Sequence, residues 1–170
     1  MTGLLRLKAR DEEDLRVLSA VLQDAIVPIC DMGYQPAERR FVMIANRFRW
    51  EEADREPPAP RAANGDGDGP TPDVEAPYER INCAVRFEGV DHVCCRSLNL
   101  KDRTQMLSVL AVEPAGQGTV LLHFAGGACV KLTVSALDCR LEDLGEAWPT
   151  VLRPCHDAAD TLTVPPAAGR

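Results

Sequence analysis

A chain of 170 residues, 45% hydrophobic and 26% charged, with 12 glycines and 13 prolines, has the composition of one ordinary globular domain. At that length about two-thirds of the unfolded surface is buried on folding, so neither disulfides nor a metal is needed, and collagen-like, coiled-coil and disulfide-scaffold classes are excluded. The net charge of −7 is concentrated between Glu51 and Pro77, where eight acids meet two arginines for a local charge of −6. The remainder is nearly neutral and lacks the basic excess that nucleic-acid binding needs, so no nucleic-acid partner is expected. No apolar run approaches the roughly 18 residues of a membrane span. The first residues, Met1 to Arg6, lack the apolar core of a secretory signal. The seven cysteines are irregularly spaced and form no CxxC pair. Thiols set among Val, Ile and Leu behave as small buried hydrophobes, which fits a reducing, cytoplasmic setting without membrane contact.

Leu4 to Ala9 reads as a short strand. Asp11 is a helix N-cap, with Glu12, Glu13 and Asp14 in the positive first turn. Leu15, Leu18, Val21, Leu22 and Ala25 recur at helical spacing and form one apolar face. Pro28 stops further helix, Ala25 to Asp31 turns into a strand, Gln35 to Glu38 is a turn, and Arg39 to Trp50 returns as a long strand of a hairpin. From Glu51 to Pro77 periodicity is lost among six prolines and Gly65-Asp66-Gly67-Asp68-Gly69. Such a segment cannot repay its ordering entropy by burial, so a disordered insertion within one domain, residues 1–157, is expected. Strands then follow at Arg80 to Glu88, His92 to Leu98, Gln105 to Glu113, Gly118 to Phe124 and Ala128 to Val134. Ala125-Gly126-Gly127 makes the hairpin turn between the last two. Ser135 and Asp138 suggest a capped helix with a Leu137, Leu141, Leu144 stripe, stopped at Gly145. Residues 158–170 read as a flexible tail. The expected class is α+β: a strand-helix unit, then a mainly antiparallel sheet or partly closed β-barrel, with a pleckstrin-homology-like order of seven strands and a closing helix.

Leu22-Gln23-Asp24-Ala25, Arg39-Arg40-Phe41, Asn46-Arg47-Phe48, Phe124-Ala125-Gly126-Gly127 and Arg153-Pro154 with His156-Asp157 lie in order over most of the chain. Together they resemble an uncharacterised bacterial family, domain of unknown function 2948. The resemblance implies no catalytic residues. The 51–77 segment is longer than is usual there, which places a shared function outside it.

Asn64, Asp66, Asp68, Gly69 and Glu75 fall at calcium-loop spacing, but Pro70 and Pro72 stiffen the arc and no helices flank it, so no metal is expected. His92, Cys94, Cys95, His123, Cys155 and His156 lack the paired spacing of a zinc site. Cys155, His156 and Asp157 carry nucleophile, base and acid types without a workable local geometry. No nucleophile elbow, phosphate loop or dinucleotide fingerprint occurs. No cofactor is expected. The informative feature is cationic. On the strand to Trp50, Arg47 and Arg49 share one face, opposite Asn46, Phe48 and Trp50. Arg80 and Arg86 share the polar face of a later strand, and Arg96 lies on another. Brought together, these guanidinium groups and the Phe48/Trp50 edge suit an acidic protein or small carboxylate ligand. The competing expectation pairs the arginines with Glu38, Glu79 and Glu88. A non-catalytic binding domain is the first reading; the alternative is an enzyme with a site around His156, Asp157 and Arg47.

Overall fold

The computed structural model describes residues 3–53 and 78–154. Strand β1 (Arg6–Ala9) leads into helix α1 (Glu12–Leu22). Asp11 caps α1 by accepting the Asp14 N–H at 2.9 Å, while the Asp14 carboxylate reaches back to the Arg10 N–H. Three acids in the first turn meet the positive end of the helix. Leu15, Leu18 and Leu22 are buried, and α1 lies against β1, β4 (Arg40–Phe48) and β7 (Met106–Pro114).

The chain next forms β2 (Ile26–Pro28), a 3-10 turn, β3 (Met32–Gln35) and a second 3-10 turn before β4. Helix α2 (Trp50–Ala53) comes after β4, so the first three residues of the expected insertion are helical; residues 54–77 lie outside the described residues. After them come β5 (Tyr78–Glu88), β6 (Val90–Arg96), β7, β8 (Thr119–Phe124), β9 (Cys129–Val134) and β10 (Cys139–Thr150). The β8–β9 turn falls on Ala125–Gly127, where Gly126 and Gly127 adopt φ of 78° and 80°, a region that glycine enters without a Cβ penalty.

All ladders are antiparallel, in the order β1-β10-β5-β4-β2-β7-β8-β9-β6, with β3 paired to β4 beside β2. The α+β class stands, but the expected β-barrel is corrected: the path is open, and its terminal strands β1 and β6 do not pair. Between β3 and β6 the Tyr34 hydroxyl donates to the carbonyls of Val90 and Asp91 in place of a ladder, and the Val90 N–H donates to the carbonyl of Arg39, just before β4. Beyond Val90, β6 carries Asp91, His92, Cys94, Cys95 and Arg96, all exposed, so no inward stripe extends the core across the gap. Charged and polar side chains also suit an edge that must not recruit another strand.

The second correction concerns residues 135–144. The expected closing helix is instead β10, inserted between β1 and β5, and with it the pleckstrin-homology-like order is lost. Cys139, Leu141 and Asp143 turn inward while Arg140, Glu142 and Leu144 turn outward. Period two, with two neighbours to pair with, outweighs a three-leucine helical stripe. Gly145, at φ 68°, lies in the irregularity of β10 between Leu144 and Trp148 rather than stopping a helix.

The inner face of the sheet buries Phe41, Met43, Cys83, Val85, Phe87, Val109, Leu122, Phe124, Leu132 and Leu141 around α1. Ser19 of α1 accepts the Val112 N–H at 2.8 Å, next to the irregularity in β7, which fixes the helix to that strand. Among the described residues no helix is long and apolar enough to cross a membrane.

Helix docking should therefore dominate the stability of this layer. Leu18→Ala is expected to lower unfolding free energy by about 2–5 kcal/mol, and loss of the Asp11 cap in Asp11→Ala by about 1 kcal/mol. Exposed Val17→Ala should stay within about 0.5 kcal/mol. Urea denaturation followed by circular dichroism measures all three.

Candidate functional site

The inner stripe of β4 runs Phe41, Met43, Ala45 and then Arg47, which is fully buried. Facing it from β10 is Asp143, 6% exposed, whose Oδ1 accepts Arg47 Nε and whose Oδ2 accepts Nη2, both at 2.8 Å. The other side of the guanidinium meets Glu51 of α2, with Nη2 to Oε1 at 2.8 Å and Nη1 to Oε2 at 3.1 Å. Nη1 also donates to the Phe48 carbonyl at 3.4 Å. All five N–H groups are thereby spent. Asp143 is itself held by the Leu5 N–H at 2.9 Å, and its own N–H donates to the Leu5 carbonyl.

Burial on its own lowers the Arg47 pKa, but hydrogen bonds to Asp143 and Glu51 outweigh it and hold the guanidinium above the ordinary arginine value. Burial likewise works to raise Glu51, and its hydrogen bond to Arg47 holds it below the usual carboxylate range instead. The nearby Cys83 thiol is pushed up to about 12 by burial, so it is no nucleophile at neutral pH. Arg49, 6% exposed, pairs with Glu79 and lies 3.6 Å from Glu51 and 3.5 Å from Glu52.

The expectation of a solvent-facing Arg47/Arg49 pair is thus corrected. Both are buried among carboxylates, and Arg47 offers no donor to an incoming anion. Phe48 and Trp50 do meet, with ring centroids 4.6 Å apart, and Tyr78 joins Phe48 at 5.6 Å. The Trp50 indole N–H is anchored on the Gln23 carbonyl at 3.2 Å. Phe48 is buried, so this cluster is a packed end of the sheet rather than an open aromatic edge.

Arg80 and Arg86 share the outer face of β5, as expected. Arg80 lies opposite Phe48 and Trp148; Arg86 lies opposite Val42 and Arg140. Arg80 Nη1 donates to the carbonyl and the side-chain oxygen of Asn46, both at 3.1 Å. Burial lowers its pKa, countered by the charge of Asp24. The expected partners Glu38, Glu79 and Glu88 do pair with arginines: Glu38 with Arg40, Glu79 with Arg49, and Glu88 with both Arg40 and Arg86. Arg96 is elsewhere, on edge strand β6 opposite Cys129. Of the residues expected to form one patch, Arg80, Phe48 and Trp50 do come together, with the Arg80 guanidinium carbon 5.9 Å from the Phe48 ring centroid. Arg47 and Arg49 are buried among carboxylates, and Arg86 and Arg96 lie apart.

Sequence reasoning misses Asp143, and also the placing of Lys8 on β1 directly opposite Arg140 on β10. Assigning 135–144 to a helix hides the inward turn of Asp143; the Cys139/Leu141/Asp143 alternation is its signal. His92, Cys94 and Cys95 are exposed on β6, and His123 Nε2 lies 2.8 Å from Glu113 Oε1. Among the described residues no three His, Cys, Asp or Glu side chains are grouped to hold a metal. The calcium-spaced residues Asn64 to Glu75, and Cys155, His156 and Asp157, lie outside the described residues.

A family model described as a protein of unknown function (DUF2948) matches residues 5–156. No curated protein and no solved structure matches the chain.

Breaking the buried pair from one side leaves an uncompensated ion. Asp143→Ala is expected to cost about 3–5 kcal/mol in urea denaturation, and the double variant Arg47→Met/Asp143→Leu clearly less than the two single losses together. The lowered Glu51 pKa stabilises the fold above the unfolded carboxylate pKa, and this contribution disappears as pH falls through the folded value. Glu51→Gln should therefore flatten the acid limb of a stability-against-pH curve.

Proposed function

Because the chain belongs to the DUF2948 family, whose description assigns no activity, we propose from its geometry a non-catalytic interaction domain that docks an acidic protein segment on the outer face of β1, β10, β5 and β4. The observation that carries this reading is a row of three cations directly across neighbouring strands: Lys8 opposite Arg140, and Arg140 opposite Arg86. Like charges directly opposite one another destabilise a sheet. Among the described residues they are served by two carboxylates. Asp138 lies 3.8 Å from Lys8 and 3.7 Å from Arg140, and Glu88 is shared between Arg86 and Arg40. Arg86 Nε lies 2.9 Å from Glu88 Oε1, whereas Arg140 Nε comes no nearer than 3.7 Å to Asp138 among the described residues. A third carboxylate from a partner, paired with the outward ends of these guanidinium groups, would relieve the repulsion. Val42, Ile44 and Ala84, half-buried beside the row, supply apolar floor.

The six described cysteines are free thiols, which supports placing the protein in a reducing cytoplasm. A second reading, an enzyme using Arg47 with His156 and Asp157, draws on the buried Arg47–Asp143–Glu51 network, since buried ion clusters are frequent at catalytic centres. Its signature would be a His156 NMR titration that shifts in Arg47→Met. An unmoved titration removes it.

The docking reading is checked with fluorescein-labelled hexaglutamate. Arg86→Gln/Arg140→Gln should weaken binding about tenfold, and about 0.5 M salt should weaken the wild type similarly. Thermal stability should hold or rise, because repulsion is removed. Lowered stability with unchanged binding would make the row structural and end the proposal.

A further inference from the structure

A groove of about 450 Å³ opens beside Arg80, where β5 and β7 approach the stretch after β10. Ile26, Leu107, Leu152 and Pro154 give it apolar walls, with Arg80 and Arg153 among its lining and Asp24 at its margin. Leu152 is 73% exposed and Met106, also on the groove, 65%, so large apolar side chains stand in water around a cationic centre. That mixture, apolar walls with few polar groups, is the usual make-up of a small-molecule site.

The state of Arg80 says which polar group is missing. Its Nη1 is spent on two neutral oxygens of Asn46, and the Phe48 ring covers it at 5.9 Å. The Asp24 charge at the groove margin partly counters its burial, but no carboxylate among the described residues is hydrogen-bonded to it or within ion-pair distance of it. Every other arginine on β4 or β5 has such a partner. A half-buried guanidinium bears a desolvation cost that an anion would offset. With Nη1 engaged, Nε and Nη2 make no hydrogen bond to a described residue, and two such parallel donors match the two oxygens of a carboxylate. One such edge beside Asp24 suits a singly charged head better than a dianionic phosphate.

We propose that this groove binds a monocarboxylate with an apolar body, its carboxylate on the Nε–Nη2 edge of Arg80 and its body against Ile26, Leu107 and Leu152. The site is separate from the Lys8–Arg140–Arg86 row, and neither depends on the other.

Titration calorimetry of the full chain with sodium octanoate tests it, with octanol, octyl phosphate and N-acetyl-leucine as parallel probes. Octanoate should bind saturably at one equivalent, and octanol at least about tenfold more weakly. N-acetyl-leucine binding as tightly as octanoate would assign the carboxylate to peptide termini; weaker binding would assign it to aliphatic acids. Arg80→Gln should reduce octanoate affinity about tenfold, and Arg80→Lys, which keeps the charge but not the fork, should also fall well below wild type. Leu152→Asp alters only an exposed rim position, so it keeps the fold and should repel octanoate. Arg140→Gln should leave octanoate binding unchanged. Equal binding of octanoate to wild type, Arg80→Gln and Leu152→Asp, tighter binding of octyl phosphate, or no saturable octanoate binding would each overturn the proposal.

Discussion

The pairing of Arg47 with Asp143 is the constraint on which this end of the molecule is built. A guanidinium removed from water costs several kcal/mol unless its donors are met, and here all five are. Meeting them requires β10 beside β5, α2 folded back under β4, and the Leu5 backbone holding the far side of Asp143. One side chain therefore sets the mutual position of β4, β10, α2 and the approach to β1. It also ends the core: beyond Ala45 the inner stripe of β4 passes from hydrocarbon to ions.

Strand parity, rather than residue type, decides what each arginine has left to offer. Arg47 faces inward and is saturated. Arg49, one residue past β4, is enclosed by Glu52 and Glu79. Arg86 faces outward and shares a carboxylate with Arg40, while Arg80, on the same outer face, is hydrogen-bonded among the described residues to neutral oxygens of Asn46. A protein with an overall charge of −7 thus carries cations in two separate places, the Lys8–Arg140–Arg86 row and the groove around Arg80.

Much of this was legible in the order of residues. Asp11 and the three acids after it mark the start of α1, and the glycine pair at 126–127 marks the β8–β9 turn, because both signals are local. The inward turn of Arg47 was also written in the alternation with Phe41, Met43 and Ala45. Its charge argued for solvent, and Glu51 four residues on together with Asp143, 96 residues away, reverses that argument. Residues 139–144 carry helical and strand periodicities together, and the choice between them is made by β1 and β5. Whether the sheet closes depends on pairing between distant strands, about which local pattern is silent.

The insertion of β10 has a kinetic consequence. Leu5 and Asp143 are separated by 138 positions, and the ladders on both sides of β10 join distant stretches of chain. Folding dominated by such contacts proceeds on a scale of about milliseconds to seconds, since loop closure must precede any gain. Until β10 arrives, β5 has an open edge, β1 has no strand partner, and Arg47 lacks its buried counterion. A charged group at the end of the inner stripe keeps that unfinished seam hydrated and disfavours premature collapse or capture by a foreign strand. The ion that later locks the sheet thus also guards it while it is incomplete.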